Sequence, residues 1–135
     1  MLITKNNRTI LAVVTGTPAT SVNYPFTEIT DLANAGLKFQ SIESFNSTQL
    51  TFAANGGPVI TAGEAAACRV TLVGRNGERL LTDYPVQSLN RAVNGGFHTL
   101  LDNLELDLTK CFVTFGDVTG IAANDVVAFS FSYSK

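Results

Sequence analysis

Alternation with a period of two is the feature that most constrains this chain. In its closing run "VVAFSFSYSK", Val127, Phe129, Phe131 and Tyr133 fall on one side of an extended backbone, and Ala128, Ser130, Ser132 and Ser134 on the other. A helix would scatter those aromatics round its circumference, whereas a strand gathers them on one face, because successive strand side chains point opposite ways. "LELDL" (104–108) repeats the pattern with Leu104, Leu106 and Leu108 against Glu105 and Asp107. "CRVTLVG" sets Cys68, Val70 and Leu72 against Arg69 and Thr71, and "CFVTFG" aligns Cys111, Val113 and Phe115, with Phe112 opposite them predicting burial on both sides. Further strands are expected at 9–15, 38–45, 48–53 and 97–101.

The punctuation between these runs agrees with a strand reading. Glycine and proline clusters recur at 15–18, 55–58, 74–77, 94–96 and 115–120, and short strands separated by such turns build sandwiches or barrels. The expectation is an all-β, jelly-roll-like β-sandwich of about eight short strands, filling residues 1–135 as one domain. One helix at most is expected, at 31–37 or at 85–93, where Pro85 can open a turn or two before Gly95. A loose echo between 59–74 and 118–134 places small-residue corners at Ala65 and Ala66 and again at Ala122 and Ala123.

The stretch "TLVGRNGERLLTDYP" (71–85) concentrates charge in a chain that has little of it. Two apolar runs flanking Asn76-Gly77 predict a two-residue type I′ hairpin, since both central residues of that turn need positive φ. Arg75, Asn76, Glu78 and Arg79 then decorate an exposed tip, which is either a solvated turn or a docking point for a neighbouring subunit. Asn94 and Phe97, in the glycine-rich "NGGF", form the other candidate contact loop.

Only 15% of the residues are charged while 45% are hydrophobic, so much of the surface must be Ser, Thr, Asn, Gly and Ala. Burying hydroxyls between subunits costs less desolvation than burying Lys or Glu, so such a surface suits a protein covered by neighbours as well as a quiet monomer. A formal net charge of −2 argues against nucleic acid as the main partner. The N-terminal apolar run is broken at once by Thr15, Gly16, Thr17 and Pro18, unlike a signal peptide, and no apolar stretch is long enough to span a bilayer as a helix. The expectation is synthesis in a host cytoplasm without a signal peptide. Two cysteines, Cys68 and Cys111, are read as buried thiols on strands or as a single cross-sheet disulfide.

Catalytic constellations are not evident, and no enzyme and no cofactor is predicted. His98 is the one histidine, so paired-histidine zinc motifs cannot form, and no local motif supplies it with a nucleophile. Glu105 and Asp107 share a strand face, a pairing that can serve glycoside hydrolysis or calcium binding but is also what any solvent-facing strand shows. The glycine pairs lack a phosphate-cradling pattern. Tyr24, Tyr84 and Tyr133 leave room for a carbohydrate- or cell-surface-binding module, although the chain has no tryptophan to stack on a sugar.

The stretches "NGGPVITAGEAAACRVTLVGRNGERL" and "IAANDVVAFSFSYSK" look like sandwich strands joined by closely packed corners. In that respect the chain resembles the small jelly-roll subunits of viral particles, particularly capsid and vertex proteins of tailless icosahedral phages. The resemblance implies a structural virion subunit with no active site, self-assembling through its β-sandwich surface and loops and meeting other virion proteins. It transfers no functional residue.

Overall fold

The computed structural model describes residues 6–27, 38–53, 56–90, 92–93 and 99–134. Eight strands carry the fold: β1 (Asn6–Val13), β2 (Tyr24–Thr27), β3 (Lys38–Phe45), β4 (Cys68–Val73), β5 (Arg79–Pro85), β6 (Thr99–Leu104), β7 (Phe112–Phe115) and β8 (Val126–Ser134). Their order in the sheet is β5-β4-β7-β2-β1-β8-β3-β6, and every pairing is antiparallel. Four of those pairings nest inside one another: β1 with β8, β2 with β7, β3 with β6 and β4 with β5.

The all-β expectation holds, but two detached sheets do not describe the ladders. β1 pairs with β2, so hydrogen bonding continues from one half to the other and the eight strands make one curled sheet. The join is short for a covalent reason. Proline donates no N–H, and β2, which contains Pro25, shares only two residue pairs with each neighbour: Leu11↔Thr27 and Ala12↔Phe26 on one side, Tyr24↔Val113 and Pro25↔Phe112 on the other. A strand tied so briefly on both sides is where a sheet can bend.

The concave face of the curl holds the main core. From one half come Ile10, Ala12, Phe39, Ile42, Phe129 and Phe131; from the other, Cys68, Val70, Leu72, Val113 and Phe115. The alternation of β8 therefore does what its sequence requires, with Phe129 and Phe131 wholly buried. Phe26 bridges toward both, its ring centroid 5.3 Å from Phe129 and 6.1 Å from Phe131. The opposite face of β1 and β8 carries a second, smaller core of Leu11, Val126 and Ala128, covered by Ala53 and Val59 from the long β3–β4 connection. Farther along that face the side chains are polar, with Ser41 and Ser132 hydrogen-bonded across β3 and β8.

Several local expectations fail, each for an identifiable reason. Residues 48–53 form a turn and a single bridge, Phe52↔Pro58, because this segment folds back on itself to roof the second core. Residues 104–108 leave the ladder after Leu104: Leu106 makes one bridge to Gly74, and Leu108–Lys110 is a 3-10 turn started by Asp107, whose side chain accepts from the Thr109 amide. Burial still follows the leucines, since Leu106 and Leu108 both enter the main core. Of the two helix sites, 85–93 contains a 3-10 turn, Val86–Leu89, held by the buried Ser44 hydroxyl donating 2.7 Å to the Val86 carbonyl; 31–37 lies outside the described residues. A helical turn arises where none was expected, α1 (Ala62–Ala65), built by a reciprocal capping box between Thr61 and Glu64 at the proposed Ala65 corner.

Candidate functional site

Antiparallel pairing sorts the loops into two sets. Those that follow β1, β3, β5 and β7 leave one end of the sheet; those that follow β4 and β6 leave the opposite end. The charged tip expected at 75–79 belongs to the second set, with the 105–111 segment beside it.

The tip is a turn, though not of the predicted type. Gly77 N–H donates 3.0 Å to the Gly74 carbonyl, and Gly74 N–H donates 2.7 Å to the Glu78 carbonyl, so three residues rather than two occupy the loop. Only Gly77 has positive φ, at +87°; Asn76 does not. A type I turn followed by a left-handed glycine is the next commonest hairpin closure, and it needs one permissive residue where type I′ needs two. The register break between Leu72 and Val73 absorbs the extra residue.

The tip is anchored within its own chain. Arg75 N–H donates 3.1 Å to the Glu105 carbonyl, and Asp107 N–H donates 2.9 Å to the Val73 carbonyl, stitching hairpin to 105–107 on both sides of the Gly74–Leu106 bridge. The Arg75 guanidinium lies 3.6 Å from the Glu105 carboxylate, with the two side chains 57% and 43% exposed, so solvent screens the pair. The Glu78 side chain folds back over Gly74, filling the space a β-carbon would need there. Asn76 and Arg79 are exposed, while Asn94, Phe97 and His98 lie outside the described residues.

The two carboxylates that the alternation placed side by side serve different partners. Glu105 turns to Arg75, while Asp107 accepts from the Thr109 amide and hydroxyl and stands 3.8 Å from Lys110. Among the described residues no three His, Cys, Asp or Glu side chains converge as metal ligands would. The thiols are equally unavailable. Cys68 and Cys111 are free and buried, and burial pushes both up to about 12 from the ordinary 9.0. Cys111 precedes β7 rather than lying within it, and its sulfur accepts a 3.3 Å hydrogen bond from the Val73 amide. A nucleophilic thiolate needs the opposite environment.

The tyrosines do not assemble a sugar platform. Tyr24 is 1% exposed, packs edge-on against Phe115 and uses its hydroxyl to accept from the Ala19 amide at 3.1 Å. Tyr84 and Tyr133 are half-buried against the main core.

The other end of the sheet, which the sequence reading singled out only through the 94–97 stretch of the β5–β6 connection, is knitted loop to loop. Val14 and Asn124–Asp125 exchange backbone bonds of 2.8 and 2.7 Å, Gly116 N–H donates 2.7 Å to Ala67, and Ile60 N–H donates 3.0 Å to Val126. Gln49 and the buried Asn90 pair amide to amide, joining the β3–β4 and β5–β6 connections. Asp117 accepts from the Thr119 amide and hydroxyl at 2.8 and 2.7 Å, which holds its carboxyl below the ordinary range. The large apolar side chains exposed among the described residues all sit in these loops: Val22 at 38%, Phe52 at 61% and Val93 at 56%. The legible signals were the capping box T-x-x-E at 61–64 and the recurrent Asn/Asp-x-Thr turns at 46–48 and 117–119.

Comparison with known protein families, with curated proteins and with solved structures finds no match to this chain.

Proposed function

We propose that this chain is a structural assembly protein, a virion subunit of jelly-roll type that associates with copies of itself and with other virion proteins. The observation that carries the reading is the nested pairing of β1 with β8, β2 with β7, β3 with β6 and β4 with β5, in which the paired strand numbers always sum to nine. A jelly roll is one long antiparallel hairpin of four such pairs rolled upon itself. Rolling leaves two four-stranded halves, β1-β8-β3-β6 and β2-β7-β4-β5, which are the two segments of the observed order on either side of the β1–β2 contact.

Jelly rolls also serve lectins and cupins, so the fold alone does not assign the role. Surface chemistry favours assembly. Charge is sparse, the thiols and Tyr24 are committed to the interior, and exposed Val22, Phe52 and Val93 share the end where tightly bonded loops present a fixed surface. A rigid surface with isolated apolar anchors loses little entropy when a neighbour covers it. In this reading the subunit contacts lie mainly at that end, and the Arg75–Arg79 tip contributes orientation rather than affinity.

Light scattering after size exclusion, followed by electron microscopy of concentrated protein, tests the proposal. Mass should climb with concentration toward a closed or extended particle, and Phe52→Asp should hold the protein at the subunit mass while leaving its fold intact. A strict monomer at high concentration that also captures no virion component would overturn it.

A further inference from the structure

The hairpin tip combines three properties that the assembly reading does not use. Asn76 is exposed, its side chain is bound by no group among the described residues, and it precedes a glycine. Gly77 has open space where a β-carbon would stand, with no heavy atom within 4 Å. Its amide donates 3.0 Å to the Gly74 carbonyl, at a surface turn where local opening costs little.

We propose that Asn76 is a self-modifying site, converting spontaneously to aspartate and isoaspartate. The Gly77 backbone nitrogen attacks Cγ of Asn76; the new N–Cγ bond forms as Cγ–Nδ2 breaks, and Nδ2 leaves as ammonia carrying the proton that the Gly77 nitrogen gives up. The resulting five-membered imide takes up one water at either carbonyl. One opening yields aspartate, and the other yields isoaspartate with the backbone routed through the side chain. A residue with a β-carbon after Asn76 would crowd this ring closure, which is why the open flank of Gly77 matters.

Other described asparagines lack the combination. Asn46 is buried and its Oδ1 accepts from the Thr48 amide and hydroxyl. Asn90 is buried and paired with Gln49. Asn23 precedes the wholly buried Tyr24, and Asn124 precedes Asp125, whose side chain is tied to the Ala122 amide. Conversion at Asn76 adds a carboxylate beside Arg75 and Arg79. Isoaspartate also lengthens the backbone by one carbon, so the Gly77–Gly74 bond cannot close as before.

Conversion at Asn76 needs only the exposed tip and does not depend on assembly. Purified full-length protein held at neutral and at mildly alkaline pH, then mapped by peptide mass spectrometry, tests it. Asn76 should be lost ahead of Asn23, Asn46, Asn90 and Asn124, yielding both isomers at a rate that rises with hydroxide. Gly77→Val should suppress the conversion. Because that variant also strains the turn, Asn76→Gln supplies a second comparison, keeping its amide through the same incubation while folding as the parent does. Persistence of Asn76 in the native protein while the denatured chain converts there would overturn the proposal, as would conversion at an unchanged rate in Gly77→Val.

Discussion

The two halves of the curled sheet are built differently. In the β1-β8-β3 half, β1 and β8 run eight residue pairs without a break, from Asn6↔Tyr133 to Val13↔Val126, and β3 slips register once, between Phe39 and Ser41. In the β2-β7-β4-β5 half the strands of β2 and β7 are four residues long and β4 and β5 slip register twice, while buried aromatic rings come from both halves, Phe39, Phe129 and Phe131 from the first and Tyr24, Phe26 and Phe115 from the second. A long uninterrupted ladder fixes which side chains face inward over its whole length, because one slipped residue would turn every phenylalanine of β8 to the wrong side. A half assembled from short ladders and bulges tolerates such slips locally, and its order comes from tertiary anchors such as the Arg75–Glu105 and Asp107–Val73 backbone bonds.

Truncation of the core separates the halves most strongly. Phe131→Ala should cost about 3–5 kcal/mol, since the wholly buried Phe131 ring packs against those of Phe26, Phe39 and Phe129. Leu72→Ala, equally buried but beside two register breaks, should fall near the lower end of a range of about 2–5 kcal/mol. Denaturant melts of the two variants decide this; equal losses would mean that the twice-bulged β4–β5 region is as stiff as the unbroken β1–β8 ladder.

The thiols place a pH-dependent term in the second half. In the native state Cys68 and Cys111 keep their protons up to about pH 12, whereas in the unfolded chain they release them near the ordinary 9.0. The unfolded state therefore binds fewer protons between those values, and stability, undiminished below pH 9.0, should fall as pH rises toward 12. The limiting slope is about 1.4 kcal/mol per pH unit for each thiol. Alkaline melts of the parent and of a Cys68→Ala, Cys111→Ala variant check it, and native thiol labelling should be slow until unfolding.

This contrast also explains what could be read from the chain. β8 was legible because side-chain alternation ran unbroken through it, and 38–45 is matched residue for residue although a bulge between Phe39 and Ser41 interrupts its inward alternation. β2 was not, because "YPFT" is four residues with a proline, the composition of a loop, and only its two flanking strands make it one. The 104–108 run misled because leucine alternation survives a departure from the ladder: Leu106 and Leu108 reach the same core from a bridge and a 3-10 turn. At the tip, Asn76-Gly77 located the hairpin correctly, but loop length depends on the bulge in β4–β5, which no local motif encodes. Of the loop-rich end only the 94–97 stretch was picked out, because its order arises from backbone bonds between segments distant in sequence.

Two turn-making devices should have intermediate effects. Gly77→Val should cost on the order of 1 kcal/mol or more, since a β-branched residue at φ +87° is disfavoured even though its side chain would meet nothing. Thr61→Ala, which removes half of the capping box that starts α1, should cost about 1 kcal/mol. Thermal melts of both rank a strained tip against a lost cap, and a Gly77→Val protein as stable as the parent would refute the three-residue hairpin.

The smallest effect is expected at the charged tip itself. Arg75→Ala removes an ion pair whose members stand 3.6 Å apart and about half in water, an arrangement worth roughly 0–1 kcal/mol. The anchoring bond from the Arg75 amide to the Glu105 carbonyl belongs to the backbone and survives the substitution. The melting temperature of the variant should therefore stay within error of the parent's, and added salt should narrow any difference. Assembly supplies the sharper reading, because a charge that contributes little to the fold can still orient an interface as a neighbour covers it. If the tip guides docking, Arg75→Ala should slow assembly, and more so at low salt, without changing the melt. Unchanged assembly kinetics would confine the tip's role to closing β4 onto β5.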